Sequence, residues 1–123
     1  GTGIATAALE EAKKYARERT QFGKYLQDIP AVKKILNRME RETMALRCLT
    51  YEGSRTVDKY YWRAEQMEES GASEKEIKND PELRFWEKLA NVFTPICKYF
   101  CAETCNKVAY DAIQIHGGSG FTE

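Results

Sequence analysis

Apolar residues recur along most of the chain at steps of three and four, the period of a helix with one face turned to a core. The first such segment covers roughly residues 1 to 20. It closes with Arg17 and Arg19, whose charges suit the negative end of a helix dipole, and Gly23 follows as a terminator. A second segment starts at Pro30, a residue suited to a first helical position, and carries Val32, Ile35, Leu36, Met39, Leu46, Leu49, Gly53 and Val57 on one stripe. A third starts at Asp80-Pro81, cap and first turn. Its stripe runs through Leu83, Trp86, Leu89, Ala90, Phe93, Cys97, Phe100, Cys101, Thr104, Val108, Ala112 and Ile115. Pro95 sits inside it, where a lost backbone bond and a crowded Asn91 carbonyl predict a kink. Between these two long segments lies the polar stretch Glu68 to Asp80, where Ser73 and Glu76 have capping-box spacing and predict a short extra turn.

No stretch alternates apolar with polar for long enough to predict a strand. The chain therefore reads as all-α, an up-and-down helical bundle with three long helices visible. Two helices of about 35 residues would each run on the order of 50 Å. A bundle usually has four helices, so the fourth is expected beyond Glu123 or from another copy of the chain. A strip of apolar residues left open by a missing helix predicts self-association, as a symmetric dimer.

With 123 residues the chain has room for one domain with one core, and with no internal repeat it reads as one unit. Nineteen basic residues against nineteen acidic ones leave a net charge of +0. No excess charge is available for phosphate backbones or anionic lipid, so neither nucleic acid nor a membrane surface is an expected partner. No apolar run approaches the ~18 residues of a membrane span, and no basic region leads into the apolar start. The chain opens at Gly1, already in helical pattern, as if cut from something longer.

Cys97, Cys101 and Cys105, spaced four apart, form a stripe on one helix face. CxxC pairs are absent and His116 is the single histidine, so no metal ligand is assigned. The cysteines read as small core residues of a reducing compartment.

Two motifs carry chemistry. At the end of the first helix stands Arg19-Thr20-Gln21-Phe22-Gly23, where Arg19 is a fixed cation with a forked donor set suited to a diphosphate and Gln21 adds an amide. Any helix end can also look like this. At the end of the third helix stands Gln114-Ile115-His116-Gly117-Gly118-Ser119-Gly120-Phe121. Its glycines allow close approach of a ligand to backbone N–H groups, and Gln114 adds a second amide; a glycine-rich helix stop would read the same. A Walker loop fails for want of a lysine, a dinucleotide fingerprint for want of a preceding strand, and a nucleophile elbow because Phe121 follows Gly120. Glu52, in Tyr51-Glu52-Gly53, lies mid-helix and reads as an ordinary bundle residue. His116 has no partner at recognisable spacing and is a poor catalytic base.

Taken together, Tyr15-Ala16-Arg17-Glu18-Arg19-Thr20-Gln21-Phe22-Gly23-Lys24 and Asp111 through Phe121 resemble the two signatures of the C-terminal helical domain of the acyl-CoA dehydrogenase family. The likeness covers essentially the whole chain. It implies that residues 1–123 are that domain, without the N-terminal helical and middle β-domains, of an enzyme that desaturates an acyl-CoA between its α and β carbons using FAD. It places Arg19 and Gln21 on the diphosphate of an FAD held mainly by a neighbouring subunit, with Phe22 packing nearby. Gln114, Gly117 and Gly118 reach the same cofactor from a second direction.

The family's glutamate base lies past the glycine motif, or in a minority of members just before this domain. No catalytic residue is therefore assigned here, and the chain alone is expected to be inactive. The likeness further implies a homodimer or homotetramer, an electron-transferring flavoprotein as acceptor, and a cytoplasmic or mitochondrial-matrix location.

Two features depart from the family pattern. Ile29 and Pro30 stand where many members carry a His-Gln pair or a Gln near the FAD, and the Glu68 to Asp80 connection is longer than in short- and medium-chain enzymes. The alternatives to a dehydrogenase are an acyl-CoA oxidase of the same fold and a cofactor-free helical assembly module.

Overall fold

The structure is a computed structural model that describes residues 1 to 122. Glu123, the last residue of the domain read from the sequence, and the Phe121 side chain lie outside the described part. Three long helices dominate: α1 (Thr2–Glu18), α2 (Pro30–Glu69) and α4 (Pro81–His116), with the short α3 (Glu74–Asn79) and α5 (Ser119–Thr122) between and after them. The all-α reading holds, and Pro30 and Pro81 open their helices as expected. Asp80 caps α4 by accepting the Leu83 N–H at 2.8 Å. Ser73 and Glu76 form the capping box that starts α3. Pro95 lies inside α4 without ending it.

The first loop corrects the sequence reading. Helix α1 stops at Glu18, and Arg19 is extended, its N–H still bonded to Tyr15 O. Beyond it a small antiparallel hairpin pairs β1 (Thr20–Gln21) with β2 (Lys24–Tyr25), Thr20 opposite Tyr25 and Gln21 opposite Lys24. Phe22 (φ 54°) and Gly23 (φ 72°) make its two-residue turn, the double positive φ that matches the twist of tight hairpins. Gly23 therefore serves the hairpin turn and does not terminate the helix. A 3-10 turn, Leu26–Asp28, then leads into α2.

The chain divides into two compact units, Gly1–Arg47 with Phe100–Glu123, and Cys48–Tyr99. The first holds the main core. Ala5, Leu9, Ala12 and Ala16 of α1 lie at helical spacing against Leu36, Met39 and Leu46 of α2 and Cys105, Val108, Ala112 and Ile115 of α4. Three alanines on the α1 face let the helices approach closely. In this unit Arg38 of α2 clasps Asp111 of α4, with Nη2 2.6 and 2.7 Å from the two carboxylate oxygens and Nε 3.1 Å from one.

In the second unit α2 and α4 meet at Gly53, where a Cβ would lie 2.9 Å from Cys97 Sγ. Thr56 is fully buried there because its hydroxyl donates to Glu52 O at 2.8 Å. Arg63 binds Asp80 at 2.7 Å and Glu82 at 3.4 Å, tying the α3–α4 connection to α2. Glu52 pairs with Arg55 on the surface of α2. The predicted stripes are buried or half-buried except at Phe100, which is exposed. Residues outside the stripes, among them Tyr51, Phe85, Val92 and Tyr99, leave apolar surface open to water in this unit.

Candidate functional site

The end of α1 and the end of α4 meet in the first unit, where they wall a cleft of about 370 Å³. That volume is near the lower end of the ~300–1,000 Å³ typical of small-molecule sites. Arg19 and Gln21 line it from the α1–hairpin side, and Gln114, Gly117 and Gly118 from the α4 side, so five of the six residues singled out in the sequence share one concavity. Phe22 does not line it: it stands on the hairpin turn and is 88% exposed. A bulky side chain at positive φ is strained, and here nothing buries it in return.

Local structure explains the convergence. The extended Arg19 leaves the axis of α1, and Arg19 O accepts the Leu26 N–H at 2.9 Å, folding the hairpin back beside the helix end. On the other wall, Gly117 (φ 60°) ends α4 in a left-handed cap. Its N–H bonds Ile113 O at 3.1 Å and Gln114 O at 3.2 Å. That N–H is thus committed to the helix end, and Gly117 serves the cleft through its conformation and its missing side chain. Nothing lies within 4 Å of where Cβ atoms of Gly117 and Gly118 would stand, so the turn is open on the ligand side.

Sequence reading missed the floor and one wall of the cleft. Leu26, Val32 and Ile35 supply an apolar floor, and Tyr15, His116 and Ser119 complete the rim. The His116 ring stacks on Tyr15, with centroids 4.4 Å apart and planes 29° from parallel, and its Nδ1 lies 2.8 Å from Ala112 O. Val32 and Ile35 were legible as stripe residues, but nothing local distinguishes a stripe residue facing a core from one facing a ligand. At the position after the first motif where the family pattern is not kept, Ile29 is half-buried against the core, so its role there is packing.

The electrostatics are one-sided. Arg19 is a permanent cation, Gln21 and Gln114 are amide donors, and no carboxylate is among the lining residues. Such a donor set accepts a phosphate-bearing or otherwise anionic ligand and disfavours a cation. Among the described residues no group of three or more His, Cys, Asp or Glu could hold a metal ion, and no helix is long and apolar enough to cross a membrane.

Comparison with known proteins bears on the family and the fold. Residues 1–73 and 80–123 match the family model described as acyl-CoA dehydrogenase, C-terminal domain. The residues between the two matched stretches, 74–79, are those of α3. The chain is 29% identical over 119 residues to the caffeyl-CoA reductase-Etf complex subunit CarC of Acetobacterium woodii, covering 97% of this chain and 24% of that protein. It is 33% identical over 123 residues to a probable acyl-CoA dehydrogenase of Escherichia coli K12, YdiO, covering 99% and 25%. The solved structure of butyryl-CoA dehydrogenase from Megasphaera elsdenii matches with a TM-score of 0.67 and 26% identity, over 98% of this chain and 24% of that one. The chain thus spans about a quarter of the length of these relatives. With both motifs, the helical fold and the family model in agreement over nearly all of its length, the chain belongs to the acyl-CoA dehydrogenase family.

Proposed function

We propose that residues 1–123 act as the C-terminal helical domain of an FAD-dependent acyl-CoA dehydrogenase, contributing half of a flavin site and part of the contact between subunits. The observation that carries this reading is the cleft itself. Two motifs some ninety residues apart in sequence supply a guanidinium, two amides and an open glycine turn to one concavity with no acid among its described lining residues. That donor set fits the diphosphate of FAD. Arg19 neutralises one charge with a fixed fork of N–H groups, Gln21 and Gln114 add neutral donors from opposite walls, and the bare Gly118 lets phosphate oxygens come close. Phe22, on the exposed turn, packs against the cofactor or the subunit that carries it, and that burial offsets the strain at its positive φ.

When bound, FAD supplies the two-electron acceptor for desaturating an acyl-CoA thioester between its α and β carbons. This chain's part is to bind, orient and neutralise; the glutamate base belongs to another segment of the full-length protein, and the isolated chain is inactive. The acyl-CoA substrate is bound with the other domains, and an electron-transferring flavoprotein reoxidises the enzyme. The relative named as part of a caffeyl-CoA reductase-Etf complex supports that partner.

The apolar residues left open on α2 and α4 are the surface of a homodimer or homotetramer. Calorimetric titration of the full-length apoprotein with FAD tests the assignment. Arg19→Ala is expected to weaken binding at least tenfold, the order lost with one charge-assisted hydrogen bond of about 1.5–3 kcal/mol. Equal affinity in the variant would remove the cofactor role and leave the assembly-module reading.

A further inference from the structure

We infer that His116 binds the anion of the cleft as a proton-linked ligand, taking up one proton when a diphosphate enters; the inference rests on the flavin-site reading above and deepens it. The ring is held on two sides. Its face lies on Tyr15 with centroids 4.4 Å apart, and its Nδ1 sits 2.8 Å from Ala112 O. A carbonyl oxygen can only accept, so Nδ1 carries a hydrogen. The remaining heteroatom is Nε2, on the far side of the ring from that carbonyl, and His116 is part of the cleft lining together with Arg19, Gln21 and Gln114.

With Nδ1 protonated, a neutral ring presents a lone pair at Nε2, and a lone pair repels a phosphate oxygen. The imidazolium form presents an N–H instead and donates to it. The groups that share the cleft with the ring come from several elements. From α1 and its end come the Tyr15 hydroxyl and the Arg19 guanidinium, from the hairpin the neutral Gln21, from the 3-10 turn Leu26, from α2 the apolar Val32 and Ile35, and from α4 itself the neutral Gln114. Among the described residues that line the cleft none carries a carboxylate, and Arg19 carries a positive charge. A diphosphate brings negative charge that an imidazolium N–H can meet, and the proton comes from solvent.

The chain holds one histidine, and His116 is the imidazole of this cleft. The role was invisible in the sequence because the residue that fixes the ring, Tyr15, lies on α1 at the opposite end of the chain.

The test is isothermal titration of the full-length apoprotein with FAD slightly above neutral pH, in HEPES and in Tris, whose heats of ionisation differ. The wild type is expected to show a buffer-dependent enthalpy whose slope corresponds to uptake of up to one proton per site, and an affinity that falls by up to about tenfold per unit rise in pH. His116→Gln should lose that share of the slope and flatten the pH dependence, while still binding FAD. An unchanged slope in His116→Gln overturns the inference even where Arg19→Ala weakens FAD and upholds the cofactor reading. Equal FAD affinity in Arg19→Ala and wild type overturns both. Circular dichroism of each variant, matched to wild type, separates a lost ligand from a lost fold.

Discussion

Arg38 and Asp111 make an ion pair whose two halves should not be equally costly to remove. Asp111 is only 5% exposed, and both its oxygens are satisfied by one guanidinium; the Arg38 side chain is 41% exposed and can turn to water. The contact also holds the guanidinium charged more firmly than usual, chiefly through the hydrogen bond to Asp111 and then through its charge. Arg38→Ala strands a buried carboxylate, a change that typically costs 3–5 kcal/mol. Asp111→Ala leaves a guanidinium with access to solvent, so the loss is screened and comes to about 1–2 kcal/mol.

The double variant should be more stable than Arg38→Ala alone, because it leaves no carboxylate without a partner. Urea unfolding followed by far-ultraviolet circular dichroism measures all three, and each kcal/mol corresponds to roughly 3–5 °C in Tm for a chain of this size. If Asp111→Ala proves as costly as Arg38→Ala, the argument from unequal burial fails, and the pair acts through its packing.

Two further outcomes follow from single contacts. The Arg63 hydrogen bond, with the Leu83 N–H, holds the Asp80 carboxyl below its ordinary value of 3.8, so its contribution is full above that pH and is lost as pH falls through the lower folded value. Asp80→Asn should therefore be less stable than wild type near neutrality, with the gap narrowing as pH falls below the ordinary carboxylate value, and a gap constant across that range would refute the assignment. Gly117→Ala places a Cβ at φ 60° in otherwise open space, so its cost is purely conformational, about 1 kcal/mol, read as a lower unfolding midpoint. A midpoint at or above wild type would show that the cap does not require the left-handed residue.

Much of this molecule was written locally. The three-and-four spacing that marks Leu36, Met39, Val108 and Ile115 follows from helix geometry alone, and the structure buries all four. Caps at Ser73 and Asp80 were equally legible, since a cap is a contact between residues three apart. The two motifs at Arg19 and Gly117 were visible as helix ends with unusual donors, although not as neighbours.

What escaped was either too short to have a period or too distant in sequence. The hairpin has two residues per strand and turns on Phe22-Gly23, where the usual signal would be Asn-Gly, so neither alternation nor turn chemistry announced it. Thr43, Thr56 and Asp111 are buried polar residues, and polarity alone placed them outside the core. Their burial depends on what they meet: Thr56 returns its hydroxyl to its own helix, and Asp111 meets an arginine 73 positions away.

By itself the sequence settled which faces of each helix seek a core, where the helices start, and which residue types could hold an anion, because propensity, capping and periodicity act within a few residues. Tertiary structure alone decided that Arg19, Gln21 and Gln114 share one cleft, that no carboxylate lines it among the described residues, and that Tyr15 stacks on His116. Those facts depend on how α1 packs against α2 and α4, and no local pattern encodes which side chains such packing brings face to face.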